Sequence, residues 1–222
     1  MGATAGDSVQ PVDRLLFGGS FDPPHQGHLA VVEYTLRAYP DVPVHVVPAA
    51  VSPFKLHSPP SDAGQRLAML ARWRGCLPAS LQTRVLIEDL EIRRGPPSYS
   101  IETCEALGQR YPGARIGLLV GSDSLADFES WHRAEDILGS YTIFVFRRPG
   151  GSGQEAVLQV DRLSELFCNV KADFVIMDNT PVECSSSDIR ALLRQGQDRP
   201  VCLPAPIYDY IQQHGLYRNS DQ

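Results

Sequence analysis

Six short apolar, β-rich runs alternate with segments of helical period, and this alternation constrains the fold more than any other feature of the chain. RLLFGG, from Arg14, leads to a helical pattern from about Gly27, and VHVVPA, from Val44, leads to one around Gln65 to Arg74. RVLIEDL precedes a helical stretch from Ser100 to Arg110, and RIGLLVG, YTIFVFRR and DFVIM continue the series. Apolar runs too continuous for a half-exposed strand, each returning through a helix, are the pattern of a parallel sheet covered on both faces. The expected class is therefore α/β, a doubly wound, Rossmann-like parallel sheet.

With 222 residues, 43% of them hydrophobic and 21% charged, the chain suffices for one well-buried core. We expect a disordered tail over residues 1–13 and a single domain over 14–222. Pro48 to Ala63 and the glycine cluster RRPGGSG are expected to be surface loops. A net charge of -6 argues against general affinity for nucleic acid or an anionic membrane, so any phosphate binding must come from a few placed groups. The five cysteines (Cys76, Cys104, Cys168, Cys184, Cys202) are scattered without a CxxC pair, which predicts no disulfide framework and a reducing compartment, the cytoplasm. No apolar run reaches membrane-spanning length, and MGATAGDSVQ has neither the basic start nor the apolar stretch of a signal peptide.

In an open parallel sheet, ligands bind beyond the carboxyl ends of the strands where strand order reverses, so the first strand should deliver Gly18 to His28 into the site. Gly18 and Gly19 let backbone N–H groups approach a phosphate, and the helix that follows offers its positive end. His25 and His28, three apart in HQGH, can each donate a hydrogen bond to charge on a transferring phosphoryl group. The residues alone leave two other readings open: a tight turn with incidental histidines, or a metal site completed by Asp22. Near the other end, CSSSDIRALLRQG carries a serine cap, Asp188 in the first turn, Ile189, Leu192 and Leu193 at helical spacing, and Gly196 as the stop. Ser185, Ser186 and Ser187, with the free N–H groups of that first turn and Arg190, form a candidate anion nest.

HQGH and SSSDIR, in this order and separated by most of the strand pattern, resemble the (H/T)xGH and SSTxxR motifs of the nucleotidyltransferase superfamily. PPSYSIET (Pro96 to Thr103), GSDSLADFESWHRAEDIL (Gly121 to Leu138) and LPAPIYDYIQQHGLY (Leu203 to Tyr217) are similar to bacterial nicotinate mononucleotide adenylyltransferases. The resemblance implies adenylyl transfer from ATP to nicotinate mononucleotide, giving nicotinate adenine dinucleotide and pyrophosphate in NAD biosynthesis, with Mg2+ carried mainly on the ATP phosphates. No covalent enzyme intermediate is expected, and no nucleic acid or membrane partner; the chain would act as a monomer or homodimer.

On this resemblance His25 and His28 are the expected catalytic residues. ATP would meet them together with Gly18, Gly19, Ser20, Phe21, Lys55, Gly121, Asp123, Arg147, Ser185, Ser186, Ser187 and Arg190. The mononucleotide would meet Ser20, Lys55, Tyr99, Ser100, Trp131 and His132, with Trp131, read within a helical stretch, as a stacking platform for the pyridine ring. Lys55, one of two lysines in the chain, belongs to SPFK where the family more often reads PPHK, so one imidazole of the pattern is absent. Ser100 stands where threonine is usual. Trp73, Met69 and Cys104 are expected in the core. Phosphopantetheine adenylyltransferases share both end motifs but lack the SYSIET and SWH segments. A non-catalytic nucleotide sensor remains the alternative from another class.

Overall fold

The computed structural model describes residues 11–55, 57–150 and 153–218. Six strands form one sheet: β1 (Arg14–Gly19), β2 (Val44–Pro48), β3 (Val85–Ile87), β4 (Ile116–Gly121), β5 (Thr142–Phe146) and β6 (Phe174–Ile176). Their order is β3-β2-β1-β4-β5-β6 and every neighbouring pair is parallel. Strand order reverses between β1 and β4, so the crevice at the carboxyl end of β1 is where a ligand has room.

The alternation of side chains along each strand sorts the core into two layers. Leu15 and Phe17 face one layer, and Leu16 faces the other. The first layer is closed by helices α1 (Gln26–Ala38), α2 (Ala63–Arg74), α8 (Ser186–Arg194) and α9 (Ala205–His214). The second is closed by α5 (Ser100–Arg110), α6 (Ala134–Ser140) and α7 (Gly153–Leu166). Two short helices, α3 (Ala79–Gln82) and α4 (Leu90–Arg94), flank β3. Trp73, Met69 and Cys104 are fully buried, as their sequence context predicts.

Several expectations are corrected. Of the tail expected over residues 1–13, positions 1–10 lie outside the described residues, but Val12 is buried and the Asp13 N–H donates to the Arg115 carbonyl at 2.8 Å. The fold therefore takes up the chain before Arg14. The run RVLIEDL keeps only Val85–Ile87 as strand, and Leu90 already opens α4. Cys184 and Cys202, expected to be unpaired, form a disulfide with their Cα atoms 5.9 Å apart. Two loops distant in the fold pattern converge on the start of α1, a meeting that cysteine spacing cannot reveal; Cys76, Cys104 and Cys168 are free.

The close approach of β4 to its neighbours requires glycine at position 117. A Cβ there would lie 2.6 Å from the Phe144 ring and 2.7 Å from Leu15, both in the packed interior. Gly117→Ala is expected to cost about 1–3 kcal/mol through overpacking, read as a lower urea midpoint at unchanged slope. An unchanged midpoint would show that the Phe144 and Leu15 side chains can shift to admit the methyl group.

Candidate functional site

The site begins where β1 ends. Gly18 is exposed, Gly19 packs against the Phe21 ring, and Phe21 itself is buried with φ of 49°, a left-handed turn that redirects the chain. His25 is the N-cap of α1 and His28 is its third residue. The two imidazoles build a reciprocal capping box: His25 Nδ1 accepts the Gly27 N–H at 3.1 Å, and His28 Nδ1 accepts the His25 N–H at 3.2 Å. A Cβ on Gly27 would sit 3.0 Å from the His25 ring, so the glycine of HQGH is what lets that ring fold back over its own helix.

This geometry decides the protonation state. Each Nδ1 is an acceptor, so the single proton of each neutral ring belongs on Nε2, which becomes the donor available to a ligand. The rings stack with centroids 3.8 Å apart. Burial, then Arg148, pulls His25 down to about 3. Burial, then His25 and Arg148, holds His28 well below the ordinary imidazole range. Unfolding returns the rings to near 6.5, so between about 3 and 6.5 the unfolded chain binds more protons. His25 therefore contributes full stability above that window, and the contribution is lost as pH falls through it.

Helix α8 approaches the same turn. Ser185 caps it, accepting the Asp188 N–H at 3.1 Å and donating to the Asp188 carboxylate at 2.9 Å. Ser186 donates to the Pro23 carbonyl at 2.9 Å, and Arg190 donates to the Asp22 carbonyl at 2.6 Å and to Ser187 at 3.3 Å. The N-termini of α1 and α8 thus lie on one turn, and both bring positive helix ends to it. Ser20 is held through its carbonyl by Arg66 at 3.0 Å. The Asp22 carboxylate accepts Tyr217 and the Ser61 N–H, so the third ligand of the metal reading is already engaged.

At the end of β4, Gly121 is buried and the exposed Asp123 pairs with Arg148 at 3.3 Å. Arg148, missed in the sequence, is the arginine whose charge reaches both imidazoles. Arg147, expected to face ATP, instead pairs with Asp178, and its backbone N–H donates to Asn179 at 2.8 Å. Side chains of adjacent residues at a strand end diverge, and here Arg147 turns to Asp178 while Arg148 turns to Asp123.

Four of the expected mononucleotide residues, Tyr99, Ser100, Trp131 and His132, lie on two segments that meet at the Tyr99 and His132 rings. Ser98 ties this segment to the end of β2, accepting the Ala50 N–H at 2.9 Å. Tyr99 then caps α5, and Ser100 begins it with no side-chain cap on the first-turn N–H groups. The Tyr99 and His132 rings lie 4.4 Å apart. Trp131 is not helical: it follows the short turn Phe128–Ser130, half-buried, with Phe128 stacked at 4.7 Å. Lys55 closes the turn Pro53–Lys55, and its side chain lies outside the described part of the structure.

Known proteins share this fold and much of this sequence. The cytidylyltransferase-like family profile matches residues 16–192. A relative from Rhodopirellula baltica is 33% identical over 91% of this chain and 92% of its own. One from Gemmatimonas aurantiaca is 35% identical over 91% of each. Both are named as probable nicotinate-nucleotide adenylyltransferases. Among solved structures, the nicotinic acid mononucleotide adenylyltransferase of Plasmodium falciparum, in complex with NaAD, superposes with a TM-score of 0.74 at 17% identity, covering 92% of this chain and 96% of that one.

The protonation assignment has a direct check. In a pH titration followed by NMR, the ring resonances of His25 and His28 are expected to stay in the neutral position from about pH 8 to about pH 5. A midpoint near 6.5 for either ring would overturn the tautomer assignment.

Proposed function

The chain belongs to the cytidylyltransferase-like family and, within it, to the nicotinate-nucleotide adenylyltransferases, and from this membership and the site geometry we infer how it works. It transfers the adenylyl group of ATP to nicotinate mononucleotide, giving nicotinate adenine dinucleotide and pyrophosphate. The observation that carries the mechanism is the pair of stacked, neutral imidazoles with Nδ1 bound to backbone and Nε2 left to donate.

The mononucleotide phosphate oxygen attacks the α-phosphorus of ATP, and the bond from that phosphorus to the bridging oxygen breaks in line, releasing pyrophosphate. The protein supplies position and electrostatics rather than a nucleophile. His25 and His28 donate through Nε2 to the α-phosphate as charge passes to the leaving group. Gly18, Gly19, Ser20 and Phe21 present backbone to the phosphates, and the first turn of α8 with Ser185, Ser186, Ser187 and Arg190 receives the β and γ phosphates. Arg148 adds charge to this cradle in the place first expected of Arg147, and Gly121 leaves room beside it; Lys55 would reach in from its loop.

The donor set fits a divalent ion that travels with ATP rather than one caged by protein. Asp22 is buried beneath its hydrogen bonds, whereas Asp123, paired with Arg148, is exposed and is the carboxylate that would face a nucleotide-borne Mg2+. The ion would neutralise triphosphate charge.

Tyr99, Ser100, Trp131 and His132 receive the mononucleotide. With one Trp131 face taken by Phe128, its other face would meet the pyridine ring. The uncapped N–H groups at the start of α5 offer donors, which match a nicotinate carboxylate and oppose the NH2 of an amide. Among the described residues no helix is long and apolar enough to cross a membrane; a cytoplasmic location is proposed from the biosynthetic role alone, since the Cys184–Cys202 bridge removes the cysteine-based argument for a reducing compartment.

Incubation with ATP, Mg2+ and nicotinate mononucleotide should yield pyrophosphate and nicotinate adenine dinucleotide together. Nicotinamide mononucleotide should lower kcat/KM by about tenfold or more, the cost of leaving a polar group unmatched. Pyrophosphate-free reactions would sink the functional reading, and equal kcat/KM for the two mononucleotides would remove the polarity assigned to α5. His28→Ala is expected to lower kcat by about 10² to 10³ with little change in thermal midpoint, because one preorganised donor to the transition state is lost. Near-normal kcat would show that His28 does not touch the reacting phosphate.

A further inference from the structure

Asp22 raises a question that phosphate binding alone does not answer. It lies in the turn between β1 and α1, 6% exposed, and Arg190 reaches it from α8. Arg190 nevertheless bonds the Asp22 carbonyl, at 2.6 Å, and stands 4.0 Å from the nearer carboxylate oxygen. A guanidinium beside a buried carboxylate ordinarily closes on it, since a charge-assisted pair is stronger than a bond to a neutral carbonyl. What competes is visible. Oδ1 accepts the Tyr217 hydroxyl at 2.5 Å, from a residue 195 positions away, and Oδ2 accepts the Ser61 N–H at 3.2 Å.

We propose that Tyr217 is a positioning residue: its hydroxyl occupies the Asp22 carboxylate and thereby keeps the Arg190 guanidinium open to the β and γ phosphates of ATP instead of folded into a buried ion pair. The inference rests on the adenylyltransferase reading for what Arg190 binds. Tyr217 is placed for this by the end of α9, where Gly215 caps the helix in a left-handed conformation and Tyr217 itself turns back with φ of 60°. Burial and then the Asp22 carboxylate push its phenol above the ordinary range, so it remains a donor. Bound there, the end of the chain connects to the turn before α1, the Ser61 loop and, through Arg190, to α8.

Tyr217→Phe removes the hydroxyl and keeps the ring. Without its donor the carboxylate should draw in Arg190, and ATP should bind about threefold to tenfold more weakly, the penalty of first breaking a charge-assisted pair. Binding of ATP and of nicotinate mononucleotide is measured by titration calorimetry, which is independent of turnover, so a chain that binds but does not catalyse would count against the functional reading alone. The mononucleotide Kd should stay within about twofold of wild type, which general loosening of the site would not spare. In an Arg190→Ala background, Tyr217→Phe should add nothing to the ATP Kd, because the two residues act as one unit. Replacing the charge as well, in Asp22→Asn with Tyr217→Phe, should restore ATP affinity, since an amide has no net charge to capture the arginine. An unchanged ATP Kd in Tyr217→Phe, equal losses for both ligands, full additivity with Arg190→Ala, or no rescue by Asp22→Asn would each overturn the proposal.

Discussion

Arg66 is 1% exposed, and its guanidinium is satisfied by backbone carbonyls rather than by a facing carboxylate. Its donors run to Ser20 at 3.0 Å, Ala49 at 2.7 Å, Ala50 at 3.4 Å and Ser61 at 2.9 Å. Those carbonyls belong to the ends of β1 and β2 and to the far end of the loop joining β2 to α2. Strands that stop at a ligand crevice leave carbonyls with no ladder partner, and an unpaired buried carbonyl is costly. One planar fork of donors satisfies the set and fixes the spacing between the two strand ends. Removing it would leave both the carbonyls and the β1 turn without their anchor.

Held from below by Arg66, the β1 turn can carry an arrangement that would otherwise relax. Two imidazoles within stacking distance, with Arg148 nearby, cannot hold charge cheaply, and the backbone N–H groups of Gly27 and His25 already occupy both Nδ1 atoms. Repulsion therefore keeps the rings neutral, and capping selects the tautomer. On the proposed reading the rings would meet a phosphate as oriented dipoles, with the full positive charges supplied by arginines and helix ends around them.

What was legible in the sequence is what local chemistry determines. HQGH reads as two imidazoles on the first turn of a helix, and the structure adds the capping box they form; the serine cap before Ile189, with Asp188 in the first turn, reads directly as the start of α8. Strand alternation and the two-layer core follow from a period of two. Arg66, the Asp22 and Tyr217 pair, the Cys184–Cys202 bridge and the Arg148–Asp123 pair were not legible. Each depends on segments brought together by the finished sheet, and a buried arginine bonded to carbonyls leaves no acidic partner in the sequence to mark it. Trp131 was placed in a helix because its neighbours have helical polarity, whereas the left-handed Arg133 at φ of 56° starts α6 only after it.

The departure SPFK, in place of the family's more usual PPHK, gains a physical setting from these anchors. The loop from Ala50 to Ser61 is fixed at both ends by Arg66, and Ser98 holds it again through the Ala50 and Val51 backbone. Phe54 lies between those anchors and is 63% exposed. The lost imidazole is therefore not missing from the buried hydrogen-bond network, which is complete without it: neither Arg66 nor the two capping histidines bonds to position 54. Its replacement changes the chemistry of a loop tip, from a donor to an apolar ring, while the strand ends that aim the phosphate site keep their spacing. The bonds that fix this loop, made by Arg66 and Ser98 with the backbone of Ala50, Val51 and Ser61, all lie at its ends rather than at its tip.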